Sequence, residues 1–208
     1  MADRRIERGN QTRQLILRRA VDLASVEGLD GLSLGRLAGE LELSKSGVFA
    51  LFGSKEDLQL ATIGAATKIF VEHVIEPANA APPGIDRLWR TCDGWLTYSR
   101  DRVFPGGCFF YAASAEFDAR SGKVHDALVA ARADWSRHLE QTARDAQRAG
   151  EVVSGTDIPQ LVFELAAFLE MANAESVLHD EFTCYDKAFR AVLNRLRAVA
   201  TDPAALPA

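Results

Sequence analysis

Along most of the chain, apolar residues recur at spacings of three and four, the period of a helix that buries one face. Leu15, Ile16, Ala20, Leu23 and Ala24 predict a first helix from Gln11 to Glu27, ended by Gly28. Leu34, Leu37, Ala38 and Leu41 predict a short second helix capped by Ser33. Glu42 and Leu43 join it to a third, capped by Ser44 and running through Leu51, after which Gly53 can end one helix and Ser54 cap the next. From Leu58 to about Ala78 the positions Leu60, Ile63, Ala66, Ile69, Phe70 and Val74 predict a long connecting helix, broken by Asn79-Ala-Ala-Pro-Pro-Gly. Beyond it the pattern predicts helices over Ile85–Tyr98, Cys108–Phe117, Val124–Ala149, Ile158–Asp180 and Tyr185–Val199, with a frayed tail TDPAALPA. No segment alternates like a strand between hairpin signals, so the expected fold class is all-α.

The second and third helices are too short to stand alone and are joined by only a few residues, which is the pattern of a helix-turn-helix. In that arrangement the second of the pair enters the DNA major groove while the first braces on the backbone. Ser33 and Arg36 begin the bracing helix. Ser44, Lys45, Ser46 and Gly47 form the first turn of the reading helix, with Phe49 one turn on. Lys55 stands at the start of the next helix, where backbone amides and a cation together suit a phosphate.

Composition changes this picture in one respect. The 208 residues carry a formal net charge of -5, which taken alone argues against nucleic acid. Its distribution argues the other way: residues 1–19 hold Arg4, Arg5, Arg8, Arg13, Arg18 and Arg19 against Asp3 and Glu7, a balance of +4, so the cations gather where phosphates would lie. With 48% hydrophobic residues the chain can bury a core as one or two domains. Cys92, Cys108 and Cys184 are widely spaced with no CxxC pair, which points to a reducing cytosol without a structural metal. No run of about 18 apolar residues predicts a membrane span.

LSLGRLAGEL followed by LSKSGVFALFGSKEDL resembles the DNA-binding domain of the tetracycline-repressor (TetR) family of bacterial regulators, densely from Thr12 to Leu58. GGCFFYAASAEFDARSG is similar to the start of the C-terminal domain in one subgroup. Two departures matter. Where the family usually has Tyr-x-His, both donating to phosphates, this chain has Phe49 and Leu51, which cannot donate. Glu42 stands in the tight turn where Gly is common, asking a non-glycine residue for a left-handed conformation.

The resemblance implies a cytoplasmic homodimer that binds double-stranded DNA at a near-palindromic operator and answers to a small-molecule effector, with residues 1–57 as the DNA-binding domain and 58–208 for ligand binding and dimerisation. Trp95, Phe104, Cys108, Tyr111, Trp135, Phe168 and Met171 are the pocket candidates, implying a hydrophobic or aromatic effector. The last two long helices are the expected dimer interface, through Leu161, Leu165, Leu169, Phe189, Val192 and Leu196. The expected function is a repressor released by that effector, with no cofactor and no metal.

Two alternatives remain open at this stage. Cys108, at or near a helix N-terminus, is a candidate sensor of oxidants or electrophiles. A small helical enzyme or ligand carrier using the aromatic cavity is the other, although the chain has no GxGxxG, P-loop, HExxH or GxSxG. Glu164 and Glu170, in an otherwise apolar helix, call for solvent or a partner.

Overall fold

A computed structural model describes residues 2–207, with side chains described for residue 7 and for 9–207. The described residues are all-α, the one exception being an isolated antiparallel bridge between Val152 and Ala200. The elements are α1 (Ala2–Glu27), α2 (Leu34–Glu40), α3 (Lys45–Phe52), α4 (Lys55–Phe70), a π-helical turn (Val71–Ile75), α5 (Glu76–Asn79), α6 (Ile85–Arg100), α7 (Phe109–Phe117), α8 (Lys123–Arg148), α9 (Ile158–His179) and α10 (Thr183–Val199). The chain forms two compact units. One comprises Met1–Lys68 with Phe104–Ala131, the other Ile69–Val103 with Arg132–Ala208.

In the first unit α1 packs on α2 and α7, and α2 on α3. Ile16, Ala20, Leu29, Leu32, Leu37, Val48 and Leu58 are buried there, with Phe104 and Phe109. The stripe of α1 is broader than the one expected: Ile16, Ala20, Leu23 and Ala24 are buried as their spacing predicts, Leu17 and Val21 join them, and only Leu15 of the expected set faces solvent. Polar contacts to the end of α1 and the turn after it help hold the 104–131 segment in this unit. The Glu116 carboxylate accepts from the amides of Leu29 (2.7 Å) and Asp30 (2.9 Å). Gly28 has φ +82°, and a Cβ there would meet that carboxylate at 2.7 Å. Gly106 lies against the end of α1, its amide donating to Ser25 Oγ at 3.1 Å, and a Cβ on it would overlap the Ser25 carbonyl.

In the second unit α6 packs on α9, α10, the π-turn and α5. Gly94 faces the π-turn, its Cβ position an ordinary contact distance of 3.6 Å from the Val74 carbonyl oxygen. A hydrogen-bonded group with one cation, Arg102, sits among the helices. Ser99 Oγ donates to Asn173 Oδ1 (2.9 Å) and lies 2.8 Å from Tyr185 Oη, while Arg102 donates to Tyr185 Oη (2.9 Å) and Ser176 Oγ (2.6 Å). Glu164 pairs with Arg195 and Glu170 with Arg132 (2.8 Å), so both carboxylates find partners within the protomer.

Two sequence expectations fail in form. The connecting helix is not one continuous α-helix, because the π-turn interrupts it over Val71–Ile75. The tail is not frayed. Val153 N donates to Val199 O and Thr201 N to Glu151 O, each at 2.9 Å, and Asp202 caps a 3-10 turn at Pro203–Ala205 that leads to a buried Leu206. Tied down in this way, the last residues lose the freedom of an ordinary terminus.

The run Lys55–Asn79 has the length and mean hydropathy (1.2) to cross a membrane, although it is not an uninterrupted apolar run. It reads as a core helix. Leu58, Ile63, Ala66, Phe70 and Val74 are buried in the protein, and Lys68, Glu72 and His73 interrupt the exposed side.

Candidate nucleic-acid interface

The helix-turn-helix forms because each end is capped by the residue that the pattern nominates. Ser33 Oγ accepts from Arg36 N at 3.1 Å, and Ser44 Oγ from Gly47 N at 3.2 Å. Each cap satisfies one amide that a helix start leaves without an intrahelical partner. Between them Leu43 N donates to Ala38 O (2.8 Å), and Glu42 takes φ +55°, the left-handed conformation its place in the turn requires. Val48 and Phe52 fix α3 to the unit by burial. Its opposite face, Lys45, Ser46, Phe49 and Ala50, is exposed. Gly47 is exposed as well.

The cations divide into two kinds. Lys45 has no carboxylate partner among the described residues. Arg36 is bound on both sides, donating to Glu27 (2.8 Å) and Glu40 (2.8 Å), with Arg19 also on Glu40 (2.7 Å). The Arg36 guanidinium holds the carboxyls of Glu27 and Glu40 below the usual carboxylate range. Lys55 donates to the Asp30 carbonyl (2.6 Å) and reaches its carboxylate at 3.3 Å, where Arg120 also binds at 2.6 Å. Arg120, then Lys55, depress the Asp30 carboxyl. Arg36 and Lys55 therefore serve the fold first, and a phosphate must compete with their carboxylates. Arg13 lies over the Phe52 ring at 5.3 Å. Arg4, Arg5 and Arg8 fall outside the described side chains.

The pocket candidates are distributed over both units. Trp95 and Trp135 are in the second unit, within an aromatic cluster that the sequence reading did not assemble: Phe70 meets Tyr98 and Trp135 edge-on at 5.4 and 5.2 Å, and Trp135 stacks on His138 at 6.1 Å. His138 Nε2 is buried with no hydrogen-bond partner, and burial, with Arg87 nearby, pulls its pKa below the ordinary value. Phe104, Cys108 and Tyr111 belong to the first unit, with Phe104 and Cys108 buried. Phe168 and Met171 line an open groove of about 350 Å³ between α9 and α10, beside Cys184. Of the free thiols Cys92 is the most enclosed, burial pushing its pKa up to about 12.

Residues 16–62 match the bacterial regulatory proteins of the tetR family, and residues 84–192 match the tetracyclin repressor-like C-terminal domain. The chain belongs to the TetR family. That membership makes it a DNA-binding transcriptional regulator and decides against the enzyme or carrier alternative. No curated protein matches its sequence. Among solved structures, a TetR transcriptional regulator from Chloroflexus aurantiacus J-10-FL superposes with a TM-score of 0.86 at 20% identity, covering 93% of this chain and 98% of that one. A putative transcriptional regulator from Saccharomonospora viridis in complex with choline gives 0.78 at 19%, covering 93% and 100%. AibR in complex with isovaleryl coenzyme A and operator DNA gives 0.64 at 17%, covering 78% and 85%. At these identities the likeness is one of fold.

In this TetR-family chain most of the expected dimer residues face inward. Leu161, Leu165, Val192 and Leu196 are fully buried and Leu169 is 1% exposed, within the protomer's own α6–α9–α10 core, while Phe189, only part-buried, packs edge-on against Trp89 at 4.7 Å. A side chain without exposed surface has none to offer a partner. The unsatisfied apolar surface is the opposite stripe of α9, where Phe163 is 71%, Met171 59% and Leu178 75% exposed.

Proposed function

We propose that the protein is a cytoplasmic homodimeric repressor, released from a near-palindromic operator by a small hydrophobic or aromatic effector. The carrying observation is the exposed α3 face with Lys45 free of carboxylates among the described residues, on a helix whose other side is fixed by Val48 and Phe52. Two such helices, one per protomer, would enter major grooves about 34–36 Å apart or a multiple of it. Residues 1–57 are assigned to DNA binding and 58–208 to effector binding and dimerisation. The solved structure of AibR with both isovaleryl coenzyme A and operator DNA supports coupling of the two activities on this fold.

For the effector we assign the cluster of Phe70, Trp95, Tyr98, Trp135 and His138, which offers aromatic walls and one unpartnered imidazole nitrogen. The effector must bind one spacing of the reading helices better than the other, or it shifts nothing. Sensing through Cys108 is disfavoured, since a thiol 4% exposed gives oxidants little access. For the dimer we assign the Phe163, Met171 and Leu178 stripe of α9, a patch whose exposure in a lone protomer is costly.

The test is binding of the purified protein to the DNA upstream of its own gene and to a scrambled duplex, over a salt series. Tight, steeply salt-dependent binding to the native duplex alone is expected. Equal, weak binding to both would remove that DNA as the operator, and failure to enrich any sequence from a randomised pool would overturn the reading.

A further inference from the structure

Phe49 is 49% exposed on α3, outside the buried pair that fixes that helix. Val48 and Phe52 supply the buried side of that helix, and Phe49 itself is not among the buried residues. Its neighbours on the outward face are Lys45 one turn before, Ser46, and Ala50 beside it. Gly47, between Lys45 and Phe49, carries no side chain that would hold the helix away from a surface. A half-exposed benzyl ring gives no hydrogen bond, and what it has to offer a surface lying opposite is apolar contact.

Resting on the assignment of α3 as the reading helix, the occupant opposite is the floor of a DNA major groove. That floor presents hydrogen-bond donors and acceptors and one recurrent apolar group, the C5 methyl of thymine. A phenyl ring can neither donate to a phosphate nor accept from a base edge. It can bury a methyl. From Lys45 to Phe49 the helix advances about 6 Å, the rise of four residues, which separates the cation's contact from the ring's by roughly two base steps.

We infer that Phe49 is a specificity-determining residue that reads a thymine C5 methyl, one in each operator half-site. Lys45 supplies charge nearby, and Phe49 supplies the preference for thymine at its position. Ala50 widens the apolar contact without adding a polar group.

The experiment takes the duplex that the full-length protein enriches from a randomised pool and replaces each thymine of a half-site, singly, by deoxyuridine, which removes only the methyl. With wild type, one position per half-site should lose about fourfold in affinity, the worth of one buried methyl. Phe49→Ala should bind the thymine and deoxyuridine duplexes equally, with far-UV circular dichroism and salt slope unchanged because no charge is lost. Phe49→Leu, still apolar, should retain a reduced preference for thymine. Wild-type indifference to deoxyuridine at every position would overturn the inference while leaving DNA binding intact. An undiminished thymine preference in Phe49→Ala would also overturn it. Should the pool yield no enriched duplex, the reading-helix assignment itself fails, and the inference with it.

Discussion

The two units are held by different physics. In the first, the α1–α2 turn and the 104–131 segment meet through carboxylates and cations near the surface: Glu116 on two backbone amides, Arg120 and Lys55 on Asp30, Lys123 on Glu56 at 2.8 Å. In the second, α6, α9 and α10 meet mainly through fully buried leucines and edge-on aromatic pairs, with a buried hydrogen-bond network around Ser99 and the Glu164–Arg195 pair beside them. Exposed ion pairs are individually weak and screened by salt, whereas buried apolar contacts are strong and indifferent to it. The DNA-reading half is thus the more responsive to its ionic surroundings. A protein that must let go of a polyanion gains from having its cations shared with carboxylates of its own.

The largest effect that sharpens this contrast is expected from Leu165→Ala. Emptying a fully buried position in the second unit should cost about 2–5 kcal/mol in urea unfolding, by the same amount at low and high salt. Glu116→Ala should cost about 1.5–3 kcal/mol, the range for hydrogen bonds to a charged group, and the loss should appear as faster amide exchange at Leu29 and Asp30. Exchange that stays slow at those two amides would show that Glu116 does not hold the turn.

Acid should separate the units in order. His138 has a folded pKa below its ordinary 6.5, so the unfolded chain takes up the proton first; the stability this group contributes is complete above pH 6.5 and is lost as pH falls below it. Asp30, Glu27 and Glu40 are depressed from their ordinary 3.8 and 4.5, so their contribution is complete above those values and goes only as pH falls further. Amide exchange followed from pH 7 to 4 should therefore loosen the second unit before the α1–α2 turn, and His138→Gln should abolish the early phase. The smallest effect is a gain. Glu42→Gly should relieve the left-handed strain and raise stability by a few tenths to about 1 kcal/mol, after the entropy that glycine adds to the unfolded chain, as read from the urea midpoint.

What could be read beforehand follows from range. Ser33, Ser44 and Asp157 cap helices through amides three residues away, so their roles were present in local spacing. Glu42 was marked by the glycine it replaces. The partners of Glu116 stand 86 and 87 residues distant, and no local pattern announces them. For the dimer stripe the difficulty is of another kind. α9 is apolar on two faces, one bearing Leu161, Leu165 and Leu169 and the other Phe163, Met171 and Leu178, and periodicity cannot say which of two apolar stripes turns inward. Arg36 and Lys55 were recognised as cations near a phosphate site, but charge in a sequence does not disclose which carboxylate has already taken it.

The short antiparallel contact at Val152 and Ala200 makes the α9–α10 hairpin a closed loop: the chain enters and leaves through one clasp, with Thr201 Oγ1 on the Gly150 carbonyl at 2.8 Å as its outer fastening. A pull on the C-terminus meets that clasp in shear before it reaches either helix. The pair can then be carried, tethered or fused at its end as a single mechanical piece.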